Sequence, residues 1–394
     1  MIMIPLMKST FYKEKETRAA LAEFILQDNY LSMGEQCFEF ERKFAKTQNR
    51  KHAILFNSGG SANLALIQAL KNLGWIKEND KIGVSAVTWS TDVMPIIQLG
   101  MRPVLIDVQP NTLNISSSTL TDAIINHGPL SAVFVTNALG FCGDLNIIRK
   151  MCRDYGMLLL EDNCESLGTE TQYGQAGSFG LAATYSFYVA HHLSTIEGGM
   201  VCTNSDALDD MLCIVRSNGW DRNVALDTQQ YLRTKHAITP FFGNYTFYDL
   251  GYNFKPTEIT GYLGLFQLQY LPEIIQIREK LFKRFNSIIE SNNDFRPVRF
   301  ATLETISAFA NPVICQCESL RDEYLKRFHD AGVETRPIIS GNSGRQPFYA
   351  KYCGTQKLMG ANGIHNCGFY FGNCPDYTEE EIEIILGCLY GVTS

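Results

Sequence analysis

Short apolar runs alternate with segments of helical periodicity over residues 53–203 of this 394-residue chain. Between strand-like runs, segments such as residues 61–70 have the apolar spacing of a helix. The runs that predict strands are residues 53–56, 102–108, 132–135, 157–162 and 183–188. Strands that alternate with helices are typical of an α/β domain with a mostly parallel sheet. Functional groups are therefore expected at the carboxyl ends of these strands and in the turns that follow them.

The second half of the chain has a different pattern. Residues 257–289 are apolar at helical spacing, and Pro272 predicts a break between two helices. Beyond them, strand-like and helical segments are mixed, as in residues 309–317 and 319–332. Because single cores stop growing near roughly 250 residues, we predict two domains. Residues 1–256 would form a large α/β domain with the N-terminal segment, and residues 257–394 the linking helices and a small C-terminal α+β domain.

Charge and hydropathy narrow the class of function. The formal net charge of −7 and the pI near 5.6 provide no basic field for a nucleic acid. The first residues contain no apolar stretch as long as a signal-peptide core, and no run of about 18 apolar residues could span a bilayer. We therefore expect a cytoplasmic protein without a nucleic-acid or membrane partner. Its 12 cysteines are then expected to be reduced thiols.

Two strand ends carry candidate chemistry. Residues 57–63 (NSGGSAN) follow a strand and open a helix, so backbone N–H groups and a serine hydroxyl there could hold a phosphate. A plain strand-to-helix turn is the alternative reading. Residues 160–166 (LEDNCES) end a strand in acidic residues, and Asp162 could pair with a protonated pyridine nitrogen. An N-cap for a following helix explains the same pattern.

Two adjacent histidines, His191 and His192, lie in the stretch SFYVAHHLSTIEGG (186–199). Neighbouring side chains of an extended segment point in opposite directions, and no third ligand lies nearby at metal spacing, so no metal site is predicted. One of the two histidines is expected to be structural. A single buried histidine is usually only a hydrogen-bonded core residue.

Seven ordered motifs together resemble a known family. They are NSGGSANL, AVTWST, LLEDNCES, SFYVAHHLSTIEGG, NGWDRN, LGYNFKP and GVETRPI, and they extend over nearly the whole chain. The chain resembles the DegT-type pyridoxal phosphate-dependent sugar aminotransferases, which implies the aspartate aminotransferase fold. In that family a lysine six residues before the Glu-Gly-Gly glutamate binds the cofactor covalently. Here that position is His191.

The histidine narrows the resemblance to one branch of the family. An imidazole cannot form the lysine Schiff base, although it can still transfer protons. The same replacement marks the branch of 3-dehydratases that act on nucleotide-linked 4-keto-6-deoxy sugars. Some of its members carry an iron–sulfur cluster bound by a dense cysteine group, and residues 219–252 contain no cysteine. The resemblance therefore implies a cluster-free dehydratase that uses pyridoxamine 5'-phosphate, or PMP, and acts on GDP-4-keto-6-deoxymannose.

The resemblance also implies roles for individual residues. His191 would be the catalytic acid and base, and glutamate would restore the PMP form of the cofactor from pyridoxal 5'-phosphate, or PLP. The cofactor-binding set would be Gly60, Ser61, Trp89, Asp162, Glu165, Ser186 and Asn253, with Asn253 supplied by the neighbouring subunit of a homodimer. Arg222, Glu334 and Arg336 would bind the substrate. Trp89 could instead be a core residue, and the arginines could form surface ion pairs.

Three points stay open in the sequence. Asn218 departs from the dehydratase pattern, which leaves the sugar and the nucleotide unsettled. A transaminase with an unusual base would produce an amino sugar instead of a deoxy sugar. A regulatory protein that kept the cofactor pocket but lost catalysis is the third interpretation, although an idle pocket has little reason to keep a complete set of ring-binding residues.

Overall fold

The computed structural model describes residues 3–27, 30–300 and 302–391. Its strands are β1 (His52–Phe56), β2 (Lys81–Ser85), β3 (Arg102–Ile106), β4 (Ala132–Thr136), β5 (Leu158–Asp162), β6 (Glu170–Thr171), β7 (Gly174–Gln175), β8 (Ala182–Ser186), β9 (Gly199–Thr203), β10 (Leu303–Thr305), β11 (Ala310–Ile314), β12 (Thr335–Arg336) and β13 (Gly368–Gly372). Its helices are α1 (Glu14–Leu26), α2 (Glu35–Thr47), α3 (Gly59–Asn72), α4 (Ser90–Gln98), α5 (Ser117–His127), α6 (Leu145–Asp154), α7 (Asp206–Arg216), α8 (Leu226–Lys235), α9 (Glu258–Leu268), α10 (Leu271–Ser291), α11 (Glu318–Asp330), α12 (Pro347–Cys353), α13 (Met359–Cys367) and α14 (Glu379–Leu389).

The central sheet has the strand order β1-β9-β8-β5-β4-β2-β3. Strands β3, β2, β4, β5 and β8 pair in parallel, whereas β9 runs antiparallel to both β8 and β1. The predicted α/β fold with a mostly parallel sheet is thereby confirmed. Because five parallel strands end at one edge, their carboxyl ends bring residues that are distant in sequence close together.

Strand β2 was not among the predicted strands because its short run contains Gly83, a residue that is unfavourable in strand interiors. The structure gives a packing reason for the glycine. A Cβ atom at residue 83 would lie only 2.7 Å from Ile106 Cδ1 and 2.9 Å from Leu130 Cδ1. A side chain at residue 83 would therefore collide with the neighbouring strand β3 and with the loop before β4.

The helices on the two faces of the sheet enclose separate parts of the core. One buried cluster lies around α3, α4 and the middle strands, with Phe56, Leu66 and Phe134 fully buried. A second cluster packs α2 against the other face, where the rings of Phe44 and Phe187 lie 5.2 Å apart in an edge-to-face arrangement. The buried apolar area fixes the strand ends that carry the functional groups.

The C-terminal part contains the antiparallel sheet β11-β13-β12, with helices α11, α13 and α14 packed on it. The predicted break at Pro272 is confirmed, because α9 ends at Leu268 and α10 begins at Leu271 with proline in its first turn. The N-terminal segment also reaches this part of the molecule, where Ile4 forms a parallel bridge with Val333. A further bridge joins Val87, just after β2, to Asn342 and holds the C-terminal part beside the sheet edge.

Candidate active site and cofactor pocket

A cavity of about 330 Å³ opens at the carboxyl ends of β4, β5 and β8. Its lining includes seven of the residues predicted for the site, namely Gly60, Trp89, Asp162, Glu165, Ser186, His191 and Arg336. The C-terminal part closes the cavity with Phe309, Ile339 and Tyr370. The three closing residues were missed because apolar residues in strand-like runs resemble ordinary core positions.

The N-terminus of α3 forms one end of the cavity. Ser58 is the N-cap, and its hydroxyl accepts the backbone N–H of Ser61 at 3.1 Å. By helix geometry the N–H groups of Gly59 and Gly60 lack an acceptor within the helix. A Cβ atom at residue 59 would lie 2.8 Å from the Cβ atom of Ser186, so glycine is needed for the close approach of the helix to that serine. The arrangement suits a phosphate group, which supports the interpretation of residues 57–63 as an anion site.

Ser61 has a different place from the one predicted. Its backbone N–H is used by the cap, its hydroxyl lies 3.0 Å from Ser58 Oγ, and it is not among the residues that line the cavity. Ser186 does line the cavity, and its hydroxyl accepts the backbone N–H of Tyr188 at 3.3 Å. Of the two predicted serine ligands, Ser186 is therefore the one that faces the cavity in this chain.

Strand β5 ends in two acidic residues, Glu161 and Asp162, that have different roles. The Glu161 carboxylate is fully buried and accepts the backbone N–H groups of Gly177, Phe179 and Gly180 at 2.7 to 2.8 Å. It organises the loop before β8. Asp162, which points the other way because strand side chains alternate, lines the cavity and accepts the backbone N–H of Cys164 at 2.8 Å.

The N-cap interpretation of Asp162 is wrong. Residues 163–169 form turns and no helix begins there in the described chain. Asp162 has no lysine, arginine or histidine as an ion-pair partner among the described residues, yet it is almost completely buried. A buried carboxylate at the edge of a cavity without a cation suits a ligand that brings its own positive charge.

The two histidines have separate roles in the structure. His192 is buried, and its Nε2 atom lies 2.9 Å from the backbone oxygen of Ser307, which confirms that one histidine is structural. His191 lines the cavity, beside the ring of Phe309 at 5.2 Å. The segment around them is not extended as expected, because the His191 N–H donates to the Tyr188 oxygen in a turn.

His191 has the charge state that a general base needs. Burial lowers the pKa of its imidazole to about 4, with the Arg278 guanidinium acting in the same direction and the Asp162 carboxylate opposing them. The ring is therefore neutral at pH 7. Its Nδ1 atom has no hydrogen-bond partner among the described residues. A neutral imidazole in the lining of a cavity can accept a proton from a bound molecule.

Glu165 is a second acidic side chain in the cavity with an unusual protonation state. Its Oε2 atom accepts the Leu139 backbone N–H at 2.9 Å. Burial, assisted by the nearby Asp162 charge, raises the pKa of Glu165 to about 8 against the favourable contribution of the Leu139 N–H. At neutral pH Glu165 is thus mainly a neutral acid, which can donate a hydrogen bond to a ligand oxygen.

The open side of the cavity contains more exposed residues. Trp89 is 57% exposed at the N-terminus of α4, so its interpretation as a core residue is wrong. Arg336 lies at the cavity and forms a 2.9 Å ion pair with Glu334, which belongs to an adjoining cavity shared with Tyr188 and Tyr370. Arg336 thus forms the surface ion pair that was the alternative to a role in substrate binding. It nevertheless lines the cavity.

The residues 217–256, here called the outer loop segment, carry the remaining predicted ligands. Asn253 and Arg222 are exposed, and neither lines the cavity of its own chain. Among the described residues no carboxylate pairs with the Arg222 guanidinium, which lies 3.8 Å from the centre of the Trp220 ring and donates to the Asn244 oxygen at 2.8 Å. Asn218, the departure noted in the sequence, has a φ of 59° and stands at a turn in this segment.

The cavity fits a pyridoxal-type cofactor on three independent features. The free N–H groups at the start of α3 suit its phosphate, and the unpaired Asp162 carboxylate suits its protonated ring nitrogen. The exposed indole of Trp89 offers a flat face beside them. No lysine lines the cavity in the described chain, and His191 is among the residues that do.

Comparisons with known proteins agree with this geometry. The profile of the DegT/DnrJ/EryC1/StrS aminotransferase family matches residues 12–390. A GDP-4-keto-6-deoxy-D-mannose 3-dehydratase of Yersinia pseudotuberculosis is 33% identical over 99% of this chain and 98% of its own length. A solved GDP-4-keto-6-deoxymannose-3-dehydratase variant with bound GDP-perosamine has a TM-score of 0.88 and 30% identity, covering 98% of this chain and all of that one. Another structure of such a dehydratase, with a trapped PLP-glutamate geminal diamine, has a TM-score of 0.85 and 29% identity, covering 98% of this chain and 100% of that chain.

Proposed function

The chain belongs to the DegT/DnrJ/EryC1/StrS aminotransferase family, and we propose that it is a PMP-dependent 3-dehydratase of a nucleotide-linked 4-keto-6-deoxy sugar. The observation that carries the proposal is a neutral histidine, His191, at the cavity position where the family has its lysine. The most fitting substrate is GDP-4-keto-6-deoxymannose, the compound in the name of the Yersinia relative. The nucleotide-sugar and glutamate compounds bound in the two solved dehydratases support the same substrate pair.

The cofactor supplies an amine for the C4 ketone of the sugar and a ring that can store negative charge. The chain positions that ring: the start of α3 and Ser186 hold the phosphate, Asp162 keeps the ring nitrogen protonated, and Trp89 covers a face. Glu165, as a neutral acid, donates to a cofactor oxygen. Because no covalent bond to a lysine is formed, these contacts together must provide the affinity.

His191 transfers the proton. As a neutral imidazole it would accept a proton from the C4' carbon of the bound cofactor, and as an imidazolium it would donate that proton to the departing C3 hydroxyl of the sugar. With the cofactor bound, the overall reaction would exchange the C3 hydroxyl of the sugar for hydrogen, and the amine of the cofactor would leave as ammonia. Glutamate then restores PMP and leaves as 2-oxoglutarate.

The second copy of the chain is part of this proposal. Asn253 and Arg222 lie outside the cavity of their own chain, and a homodimer would bring them to the cavity of the partner. Arg336 and Glu334 would bind the sugar or the nucleotide from the near side. None of the helices in the described ranges has the length and hydropathy needed to cross a bilayer. A cytoplasmic location remains part of the proposal, and fractionation of cells producing the tagged protein would test it.

One assay separates the proposed function from its rivals. Purified protein is incubated with PMP, glutamate and GDP-4-keto-6-deoxymannose, and ammonia, 2-oxoglutarate and the sugar product are measured. We expect ammonia and 2-oxoglutarate in equal amounts, together with a 3-deoxy-4-keto sugar. A 4-amino sugar without ammonia would establish the transaminase interpretation instead. Cofactor binding without turnover of GDP-, dTDP- or CDP-linked substrates would favour the regulatory interpretation.

A further inference from the structure

A second carboxyl group lies behind Asp162 and has no role in the mechanism above. Asp92, in the first turn of α4, is completely buried. No lysine, arginine or histidine forms an ion pair with it in the part of the chain that the structure describes. A buried carboxylate without a cation is costly, so such a group either finds a counter-charge or holds a proton.

The hydrogen bonds around Asp92 favour a proton on its carboxyl group. Its Oδ2 atom contacts the hydroxyls of Thr88 and Thr136, the latter at 2.8 Å, and the two hydroxyl oxygens lie 2.6 Å from each other. Three oxygen atoms thus form three contacts, whereas the two hydroxyls contribute only two protons. A proton on Asp92 would give each of the three contacts a donor of its own.

Asn63 connects this group to the cofactor side of the cavity. Its Nδ2 atom lies 2.7 Å from Asp92 Oδ1 and 3.2 Å from Asp162 Oδ2, so one amide group donates to both acidic side chains. Its Oδ1 atom has no hydrogen-bond partner among the described residues. The same Nδ2 atom also lies 3.3 Å from Thr91 Oγ1, and Asp92 is the nearest of these three acceptors.

We propose that Asp92 is a neutral carboxylic acid and a positioning residue, which fixes Asp162 through Asn63 so that a single negative charge faces the cofactor ring. The inference rests on the proposed function for the identity of the ligand that Asp162 meets. It deepens that function by adding residues behind the ring nitrogen. Asp162 would contact the ring, and Asn63 and Asp92 lie behind Asp162. A merely structural Asp92 would influence stability but not the affinity for the cofactor.

The electrostatic environment agrees with the geometry. Burial, followed by the charge of Asp162, raises the pKa of Asp92 well above its ordinary value, although the threonine hydroxyls act in the opposite direction. The titratable groups that face Asp92 from the neighbouring elements are Asp162 at the end of β5 and the thiol of Cys164 behind it. Neither group can supply a positive charge to Asp92.

The first test compares two substitutions by fluorescence titration with PMP. Asp92→Asn keeps a neutral group of the same shape that can donate to the hydroxyls and accept from Asn63, so we expect its dissociation constant to stay within about threefold of the wild-type value. Asp92→Ala releases Asn63, and we expect about tenfold weaker binding, the equivalent of one hydrogen bond. Adding Asn63→Ala to Asp92→Ala should cause little further loss, because both changes remove the same link. Equal affinities of Asp92→Ala and wild type, or of Asp92→Ala and Asp92→Asn, would overturn the proposal.

The second test does not depend on the cofactor. The infrared difference spectrum between the wild-type protein without cofactor and Asp92→Asn at neutral pH should contain the carbonyl stretch of a buried carboxylic acid. A carboxylate signal in its place would refute the neutral Asp92 even if Asp92→Ala does not fold. If the wild-type protein binds no PMP at all, the proposed function fails, and the infrared band still decides the protonation state of Asp92.

Discussion

The cavity floor and the outer loop segment are built in opposite ways. The floor, made of Asp162, Ser186, His191 and the start of α3, is held by hydrogen bonds within one chain. The outer loop segment exposes a series of large apolar side chains, namely Leu226, Tyr231, Phe241, Phe242, Tyr245, Phe247 and Leu250. Exposed apolar patches of this kind mark protein–protein contacts. The floor residues thus meet within one chain, whereas in our proposal the segment that carries Arg222 and Asn253 serves the cavity of a second chain.

The largest effect is expected on the floor. His191→Asn removes the group that transfers the proton and keeps a polar side chain, so the rate of ammonia release should fall by about 10³-fold, within the range of general acid–base catalysis. PMP binding should change little, because the phosphate and ring contacts remain. Stopped-flow measurement of ammonia release and a PMP titration together check this.

His192→Asn is the matched control. It removes the hydrogen bond to the Ser307 oxygen from the same turn, and we expect a lower melting temperature with a rate within about threefold of wild type. A His192→Asn rate as low as that of His191→Asn would mean that the turn, and not the His191 ring, matters for catalysis. His191→Lys should gain the absorbance of a covalent adduct with PLP and lose dehydration.

The second prediction separates the two acids of β5. Asp162→Ala removes the partner of the ring nitrogen, and PMP should bind about 100-fold more weakly, or roughly 3 kcal/mol, as for a buried charged hydrogen bond. Glu161→Gln instead replaces one of the two acceptor oxygens by an NH₂ group, which cannot accept the backbone N–H groups that bind there. The free energy of unfolding should therefore fall by about 2 kcal/mol. Calorimetry and PMP titration of both variants test the division of roles. Similar losses of affinity in both variants would show that the two carboxylates form one unit.

The third prediction concerns Glu165 and the pH dependence of stability. Because its pKa is about 8 in the folded protein and 4.5 ordinarily, the folded state keeps a proton that the unfolded state releases. The contribution of Glu165 to stability is complete below pH 4.5 and is lost as the pH rises to about 8. The free energy of unfolding should change by less than about 1.4 kcal/mol per pH unit because of Glu165, since this side chain is partly open to the cavity. Denaturant unfolding of wild type and Glu165→Gln between these pH values checks it, and equal slopes would contradict it.

The same contrast between floor and outer loop segment explains what could be predicted from the sequence. The end of β5 and the start of α3 followed from local patterns, because a strand that ends in acids or glycines indicates a site at the sheet edge. His191 acquired meaning only from the surrounding motifs. Asp92 and Asn63 could not be found, because a buried proton depends on the hydroxyls of Thr88 and Thr136 on other elements. The turn around His191 could not be predicted either. It depends on hydrogen bonds such as the one from the His191 N–H to the Tyr188 oxygen, which the hydrophobic pattern does not specify.

The smallest expected effect is a partial recovery of activity in mixed dimers. It tests whether the outer loop segment contributes residues to the cavity of a second chain. His191→Asn lacks the proton-transfer group, and the double variant Arg222→Ala, Asn253→Ala lacks the two exposed ligands, so each should be nearly inactive alone. When the two proteins are mixed in equal amounts and their subunits exchange, half of the dimers are mixed, and one of the two sites in each mixed dimer is intact. We expect about a quarter of the wild-type rate of ammonia release. No recovery would place all ligands within one chain, and a double variant that is fully active alone would remove Arg222 and Asn253 from the site.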